Sequence, residues 1–234
     1  MRMLIVSFYF SPDLGPGSLR AQSIVDAIVK KNKNINIDVI TTMPNRYNSI
    51  DIEASKVQKI GRVTINRIIL PRHNNNTFSQ VKAFFFFAKQ ALKYTSSSKW
   101  DVVVATSSRL MTAFLATLIA KRCKAYIYLD IRDLFVDTLS DLFKDKIIRI
   151  CLPFFKILER WTFRSAHKIN SISSGFNEYI ETIVPKVSLT NYTNGVDNQF
   201  LSTNFINNNI NKIPIILYAG NIGEGQGLDK VIPF

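Results

Sequence analysis

The clearest indication of the fold is at residues 101–133, which read DVVVATSSRLMTAFLATLIAKRCKAYIYLDIRD. Two apolar runs, at 102–106 and 125–130, are each typical of a strand that is covered on both faces of a sheet. Residues 109–122, which lie between them, have the length and the apolar content of a helix. A strand, a helix and a second strand in this order predict a parallel pair joined by a crossover helix.

The same alternation extends through most of the chain. We predict further strands at 4–8, 35–41, 57–60, 63–70, 168–173 and 187–192, and helices from Ser18, at 78–94, at 146–167 and at 175–184. This order predicts an α/β fold, a Rossmann-like doubly wound parallel sheet. Ligands of such sheets bind outside the carboxyl ends of the strands, so the loops that leave strands are the ones to examine.

The pattern changes after residue 201. Residues 202–212 (STNFINNNINK) are polar and rich in asparagine, which is typical of a linker. Residues 213–218 form a new apolar run, a glycine-rich loop follows, and a helix begins near Leu228. We therefore predict a first domain over 1–201, a linker over 202–212, and the incomplete start of a nucleotide-binding domain over 213–234. We expect the chain to be part of a longer protein and to fray beyond about residue 202.

Composition points to an anionic partner. Thirty Lys and Arg face 17 Asp and Glu, for a formal net charge of +13, and a surplus of this size favours nucleic acid, an anionic membrane surface or a phosphorylated substrate. Cys123 and Cys151 are the only cysteines, and without a Cys/His cluster a zinc site is not expected. They are typical of reduced thiols in a cytosolic protein. No apolar stretch reaches the ~20 residues that a membrane-spanning helix needs.

The segment Gly15-Pro16-Gly17-Ser18-Leu19-Arg20 connects the first strand to the first helix. Glycines at such a position let backbone N–H groups approach a phosphate or a sugar at the positive end of the helix, with Arg20 adding a charged fork. The segment reads GxGxxR and lacks the Lys-Ser/Thr of a P-loop. The alternative interpretation is a tight turn in which Ser18 caps the helix.

A second polar cluster follows the strand at 125–130. Asp130, Arg132 and Asp133 leave the carboxyl end of a buried strand, where charges need partners. One interpretation is an internal Asp–Arg bridge that shapes the loop. The other is a site in which a carboxylate binds sugar hydroxyls or acts as an acid or base while Arg132 holds phosphate.

Two more loops follow strands. Ser174 precedes a helix and is a possible N-cap, and Asn194-Gly195 is a strong turn signal two residues before Asp197. Either position is explained by local structure alone. They enter the candidate site only because of where they lie relative to the predicted strands.

Two stretches mix aromatic residues with Lys and Arg at helical spacing, at 81–94 and at 149–168. Such helices fit either a core face with solvated lysines or the interface of an anionic membrane. Phe84 to Phe87 cannot all face one side of a helix, so we expect at least one of them to be exposed. His73 and His167 lie away from the strand ends and receive no catalytic role.

Five segments in this order resemble the GT4 family of glycosyltransferases, in particular enzymes of bacterial O-antigen and capsule assembly. They are SFYFSPDLGPGSLR (7–20), LDIRDLF (129–135), SISSGF (171–176), TNGVD (193–197) and ILYAGNIGEGQGLDKVI (216–232). The resemblance implies the N-terminal, acceptor-side half of a GT-B fold, in which two Rossmann-like domains face each other across a cleft. Many members have a histidine where this chain has Asp130.

The resemblance also implies an activity. Such enzymes move a sugar from a nucleotide-sugar to a saccharide acceptor, usually retain the anomeric configuration, and need no metal or other cofactor. Acceptors in these pathways are often lipid-linked, which implies a cytoplasmic enzyme held peripherally at the inner face of the membrane. Without the donor-binding residues of a complete second domain, the chain is not expected to transfer sugar alone. The implied catalytic residues are Asp130, Arg132 and Asp133; the implied donor- or acceptor-binding residues are Gly15, Gly17, Arg20, Ser174, Asn194, Asp197, Gly220, Asn221 and Gly223.

Two other functions compete with this one. A nucleic-acid-binding module would explain the charge, but the basic residues are dispersed and no RRM, KH or helix-turn-helix pattern is present. An NAD-type dehydrogenase needs a carboxylate at the end of the second strand, where this chain reads Thr42-Met43-Pro44. Neither nucleic acid nor NAD is therefore expected as a partner.

Overall fold

The structure is a computed structural model, and it describes residues 1–45, 53–71, 77–107, 109–137, 146–196, 201, 217–220, 228 and 231. The chain divides into two compact units, Met1–Asn194 and Gly195–Phe234. The first unit contains all the strands and helices described below. The predicted linker at 202–212 and most of the predicted second domain lie outside the described residues.

The first unit is built on one eight-stranded sheet. Its strands are β1 (Arg2–Val6), β2 (Asn36–Thr42), β3 (Val57–Ile60), β4 (Val63–Ile68), β5 (Val102–Ser107), β6 (Tyr126–Ile131), β7 (Lys168–Ser171) and β8 (Ser188–Asn191). They are arranged in the order β3-β4-β2-β1-β5-β6-β7-β8. All neighbours are parallel except β3 and β4, which form an antiparallel pair at one edge.

Helices connect these strands on both faces of the sheet. They are α1 (Pro16–Lys31), α2 (Thr77–Tyr94), α3 (Leu110–Cys123), α4 (Lys146–Ser165) and α5 (Asn177–Ile183). Residues of α1 pack with Ile5 and Val39 on one face, while residues of α2, α3, α4 and α5 pack with Leu4 and Leu129 on the other. Successive residues of a strand point to opposite faces, which explains why Leu4 and Ile5 belong to different clusters. The α/β, doubly wound architecture predicted from the sequence is confirmed.

Some predicted boundaries are wrong by a few residues. The first strand is Arg2–Val6 rather than 4–8, because the chain turns after Val6 although Phe8 stays buried against the core. The first helix begins at Pro16 rather than Ser18. The remaining predicted strands and helices that lie in the described residues occur with shifts of at most two residues at their ends, and β3 occurs at the predicted residues.

The aromatic helix α2 shows how the four phenylalanines are divided. Phe84 and Phe87 are buried in the core, whereas Phe85 is 64 % exposed. At least one exposed phenylalanine was expected, and Phe85 is that residue. None of the helices in the described part of the chain is long and apolar enough to cross a membrane.

Candidate functional site

A row of polar side chains crosses the sheet at its carboxyl end. Strand register pairs Thr106 with Asp130, Asp130 with Asn170, and Asn170 with Thr190, so four adjacent strands place these side chains next to one another. Thr106 Oγ1 donates to Asp130 Oδ2 at 2.8 Å and Asn170 Nδ2 donates to Asp130 Oδ1 at 2.8 Å. Thr106, Asp130 and Asn170 are buried, so each of them needs the hydrogen bonds that its neighbours supply, and Thr190 is half-buried at the end of the row.

Arg20 of α1 completes this row. Its Nε and Nη2 atoms donate to the two oxygens of Asp130, both at 2.7 Å, which is the bidentate geometry of a strong Arg–carboxylate pair. The Arg20 side chain is 10 % exposed and that of Asp130 is 1 % exposed. These hydrogen bonds raise the pKa of Arg20 and outweigh the opposing effect of its burial. Of the two interpretations of Asp130, the internal bridge is the one found, and its cation is Arg20 rather than Arg132.

The same guanidinium holds the chain where it leaves the sheet. Arg20 donates to the carbonyl oxygens of Tyr192 at 2.9 Å and Thr193 at 3.1 Å, and to Asn194 Oδ1 at 3.2 Å. The first helix, the end of β6 and the segment after β8 are therefore tied together by one side chain. Arg20 and Asn194, both predicted to bind donor or acceptor, meet each other in this network.

Asp130 is held entirely by side chains of the protein. Its two oxygens accept four hydrogen bonds, two from Arg20 and one each from Thr106 and Asn170. With 1 % of its side chain exposed, this carboxylate faces protein donors rather than the pocket. A direct catalytic role of Asp130 stays a prediction.

The glycine-rich segment shapes the first turn of α1. Gly15 has φ 145° and ψ 161°, a conformation that L-residues with side chains rarely adopt. Pro16 occupies the first helical position, and no side chain caps the helix. Ser18 lies inside the first turn with its hydroxyl buried and without a hydrogen-bond partner, so the prediction that Ser18 is the N-cap is wrong. The cap residue is Gly15, which leaves the first N–H groups uncovered.

Gly17 makes room for a cation. A Cβ atom at this position would lie 2.9 Å from Nη1 of Arg132, closer than real Cβ contacts come. The guanidinium of Arg132 therefore rests directly against the start of α1 because residue 17 has no side chain. Two parts of the sequence that were predicted separately, the glycine-rich loop and the charged exit of β6, are adjacent in the structure.

These residues surround a pocket of about 200 Å³ at the carboxyl ends of β1, β5 and β6. Crossovers run in opposite directions on the two sides of β1, so the pocket lies at the switch point where doubly wound sheets bind their ligands. The pocket is lined by Ser7, Phe8, Tyr9, Pro16, Gly17, Thr106, Arg109, Thr112, Arg132 and Asp133.

Positive charge dominates the pocket wall. Arg109 and Arg132 both line it, together with the uncapped first turns of α1 and α3. Neither first turn contains an acidic residue. The N-terminus of a helix carries partial positive charge and exposes N–H donors, so two of them beside two guanidinium groups favour an anion.

Arg109 was not predicted as a site residue. Its Nη2 atom donates to the hydroxyl of Tyr9 at 3.2 Å, and its guanidinium lies 5.2 Å from the ring centroid of Phe8. Aromatic contacts on one side hold the group in place while it faces the pocket. The signal in the sequence was its position just after β5, the same strand-exit rule that identified Asp133.

Asp133 is the acidic residue of this pocket wall. It remains exposed to solvent, and partial desolvation raises the pKa of its carboxyl while the charge of Arg132 opposes that rise. A carboxylate of raised pKa is a better proton acceptor than an ordinary one. Of the three predicted catalytic residues, Arg132 and Asp133 line the pocket and Asp130 lies behind it.

The other predicted site residues do not line this pocket. Ser174 is exposed after β7, and the cap there is Ser173, whose Oγ accepts from Gly175 N at 3.2 Å. The prediction of Ser174 as an N-cap is therefore wrong. Gly220 belongs to the second unit. Asp197, Asn221 and Gly223 lie outside the described residues.

Neither a family model nor a curated protein sequence matches this chain. Solved structures do. A segment of sucrose-phosphate synthase from Thermosynechococcus elongatus shares 9 % identity, covers 86 % of this chain and 93 % of its own, and superposes with a TM-score of 0.56. The larger structure of the same protein gives 10 % identity, 85 % and 49 % coverage, and a TM-score of 0.55.

Arabidopsis thaliana UGT89C1 complexed with UDP gives 12 % identity, 83 % and 48 % coverage, and a TM-score of 0.51. The present chain thus spans about half the length of these larger structures. At such low identity the likeness establishes the fold. These neighbours are GT-B glycosyltransferases, and this chain has the Rossmann-like architecture of one half of that fold.

Proposed function

We propose that this chain is the acceptor-side half of a glycosyltransferase that uses a nucleotide-sugar donor. The observation that carries the proposal is the electropositive pocket at the switch point of the sheet, where two uncapped helix N-termini and two arginines converge. Its fold is that of GT-B transferases, one of which was crystallised with UDP. The pocket provides what a transfer site for a phosphorylated donor requires, namely stabilisation of negative charge as the donor bond breaks.

We assign the positive wall of the pocket to the diphosphate of the donor. During transfer, the bond between the anomeric carbon and the phosphate oxygen breaks, and the nucleoside diphosphate leaves with the electron pair. Arg132 and the N–H groups at the start of α1 would stabilise the charge that develops on that oxygen. The close approach of Arg132 to Gly17 supports this assignment, because it places both donors on one wall.

Asp133 is assigned to the acceptor. As the acceptor hydroxyl oxygen forms its bond to the anomeric carbon, the hydroxyl proton must leave, and Asp133 is the carboxylate in the pocket wall that would take it. The raised pKa of this carboxyl supports the role. Asp130, Arg20 and Thr106 would keep the end of β6 in place behind the reacting groups. No step in this scheme requires a metal ion. We propose that the acceptor oxygen bonds to the anomeric carbon on the face that the diphosphate leaves, so that the anomeric configuration is retained, as in the family that the sequence resembles.

The acceptor proposed is a lipid-linked saccharide in the assembly of a surface polysaccharide such as O-antigen or capsule. The chain has an excess of 13 positive charges, which supports an anionic acceptor or an anionic surface. A lipid diphosphate at the inner face of the cytoplasmic membrane is such an acceptor. Gly220, Asn221 and Gly223 belong in this proposal to the donor side. Ser174, Asn194 and Asp197 are proposed to bind either donor or acceptor.

The experiment is sugar transfer by the protein expressed with whatever sequence follows Phe234 in its gene. UDP-, GDP- and dTDP-sugars carrying a labelled sugar are incubated with the protein and a bacterial lipid extract. We expect label from one donor to enter the lipid fraction. If none of the donors gives labelled lipid, the proposed reaction is wrong.

A further inference from the structure

Helix α4 turns a stripe of apolar side chains away from the core of its own domain. Ile150, Phe154 and Ile157 are 77 %, 60 % and 66 % exposed. Their spacing of four and three residues places them on one face of the helix. These three residues are referred to below as the α4 stripe.

The opposite face of the same helix is the one that packs on the sheet domain. Glu159 and Phe163 are each 2 % exposed, and the Glu159 carboxylate accepts a hydrogen bond from the hydroxyl of Tyr179 on α5. Rotating the helix to bury the stripe would expose Phe163 and break this contact. The stripe therefore cannot be satisfied within the domain, and a contiguous exposed apolar patch of this kind marks an interaction surface.

Charge beside the stripe indicates the kind of partner. Lys156 and Arg160 are exposed on the neighbouring turns, whereas the acidic residue of the described side chains of α4, Glu159, is buried. The outer surface of this helix thus combines large apolar groups with cations and no exposed anion. That combination is complementary to the boundary between the acyl chains and the headgroups of an anionic membrane.

Helix α2 has the same basic and aromatic character in its sequence, but it differs from α4 in how its aromatic side chains are buried. It buries Phe84 and Phe87 in the core and leaves Phe85 exposed one turn from Val81, with Tyr94 41 % exposed at the end of the helix. Part of the aromatic surface of α2 is thus used by the fold, whereas the α4 stripe is exposed at all three of its positions.

We propose that α4 is a membrane-docking helix that lies in the surface of an anionic bilayer, with the α4 stripe entering the acyl boundary and with Lys156 and Arg160 facing the headgroups. The proposal rests on the proposed function only in that a lipid-linked acceptor gives the docking a purpose. Vesicle binding is measured without donor or acceptor, so each proposal can fail while the other stands.

The native thiol of Cys151 provides a reporter beside the stripe. Cys151 is exposed, whereas Cys123 is half-buried with its Sγ 3.6 Å from the carbonyl oxygen of Ser98. The Cys123→Ser variant of the full chain, labelled at Cys151 with an environment-sensitive fluorophore, is titrated with vesicles of phosphatidylglycerol and, separately, of phosphatidylcholine. We expect a blue shift and an increase in emission with phosphatidylglycerol that weaken as salt is raised.

Matched substitutions distinguish docking through the α4 stripe from nonspecific adsorption to vesicles. Phe154→Ser should weaken partitioning into phosphatidylglycerol vesicles about tenfold, because one large apolar side chain no longer leaves water. Ile60→Ser removes a residue that is 58 % exposed on strand β3 and should leave partitioning unchanged. Lys156→Gln should weaken it about fivefold, and Lys59→Gln, also on β3, should not.

Three results would overturn the proposal. One is no spectral change with phosphatidylglycerol vesicles. Another is equal loss of partitioning in Phe154→Ser and Ile60→Ser. The third is a dimer of the wild-type chain that Phe154→Ser dissociates without any vesicle binding by either, which would assign the α4 stripe to contact between two copies.

Discussion

Removing Arg20 from its pair with Asp130 is expected to destabilise the fold far more than breaking the other ion pair described in this chain. Replacing Arg20 by methionine would leave the Asp130 carboxylate 99 % buried with two of its four hydrogen-bond donors missing. Removing one partner of a buried ion pair typically costs about 3–5 kcal/mol, because the remaining charge is desolvated and unpaired. We expect Arg20→Met to lower the free energy of unfolding by an amount in that range.

The control is the pair between Arg2 and Asp38. Its nitrogen–oxygen distance is 2.9 Å, similar to the 2.7 Å of the buried pair, but the Arg2 side chain is 50 % exposed. Exposed pairs contribute about 0–1 kcal/mol, so Arg2→Met should cost no more than about 1 kcal/mol. Urea unfolding followed by circular dichroism measures both variants on the same scale.

A double-mutant cycle tests the coupling directly. Once Arg20 is methionine, Asp130→Asn removes a charge that is already unpaired, so the double variant should be less destabilised than the sum of the two single variants by at least about 1 kcal/mol. Additive losses, or a loss in Arg20→Met equal to that in Arg2→Met, would refute the reasoning that burial makes this pair strong.

Three further predictions concern the pocket and the core. Gly17→Ala should change the free energy of unfolding by less than about 1 kcal/mol, because only the flexible end of Arg132 must move, but it should reduce sugar transfer. Gly61 is the control: it has φ +56°, and an added Cβ would have nothing within 4 Å. Gly61→Ala should therefore lower stability through backbone strain and leave sugar transfer unchanged. Asp133→Asn should lower kcat and abolish the acidic limb of its pH profile, while an unchanged profile would exclude Asp133 as the proton acceptor. Burial raises the pKa of Glu159 above its ordinary 4.5, so the folded state binds more protons than the unfolded state and stability falls as pH rises from 4.5 through the raised pKa. Glu159→Gln should therefore gain melting temperature relative to wild type at pH 8 but not at pH 4, and an equal difference at both values would contradict the assignment.

Much of the fold was predictable because its signals are local. Buried parallel strands are nearly continuous apolar runs, and the helices between them have apolar residues at helical spacing, so element order follows from the sequence alone. The strand-exit rule identified Arg132 and Asp133 for the same reason. It should also have identified Arg109, which follows β5 and was assigned only to the start of a helix.

The contacts that define the site were not predictable because they depend on register. Arg20 and Asp130 are 110 residues apart in sequence, and their pairing follows from α1 packing over β5, the strand next to β6. The sequence around Asp130 is the same whether its carboxylate pairs with Arg132, pairs with Arg20 or faces a substrate, so it does not distinguish these arrangements. The contact between Gly17 and Arg132 is likewise a consequence of tertiary packing.

The predicted N-caps were wrong for a different reason. Ser18 and Ser174 have the residue type of N-caps, but Pro16 starts the first helix two residues earlier. In the second case Ser173 caps a short 3₁₀ turn over Ser174–Phe176, and α5 begins after it. When several small or polar residues occur in a row, each of them is of a type that can serve as the N-cap, so residue type alone does not fix where the helix starts. Backbone geometry, which the sequence does not reveal, then decides between them.

We propose that sugar transfer takes place in the pocket at the ends of β1, β5 and β6. The most direct test is the rate of transfer from the active nucleotide-sugar by Arg132→Gln compared with Lys59→Gln, an exposed cation on the edge strand β3. We predict a loss of about 100-fold or more in kcat/KM for Arg132→Gln, because an electrostatic contact to the departing diphosphate is removed, and no loss for Lys59→Gln. A folded Arg132→Gln variant that transfers sugar at the wild-type rate would contradict the account.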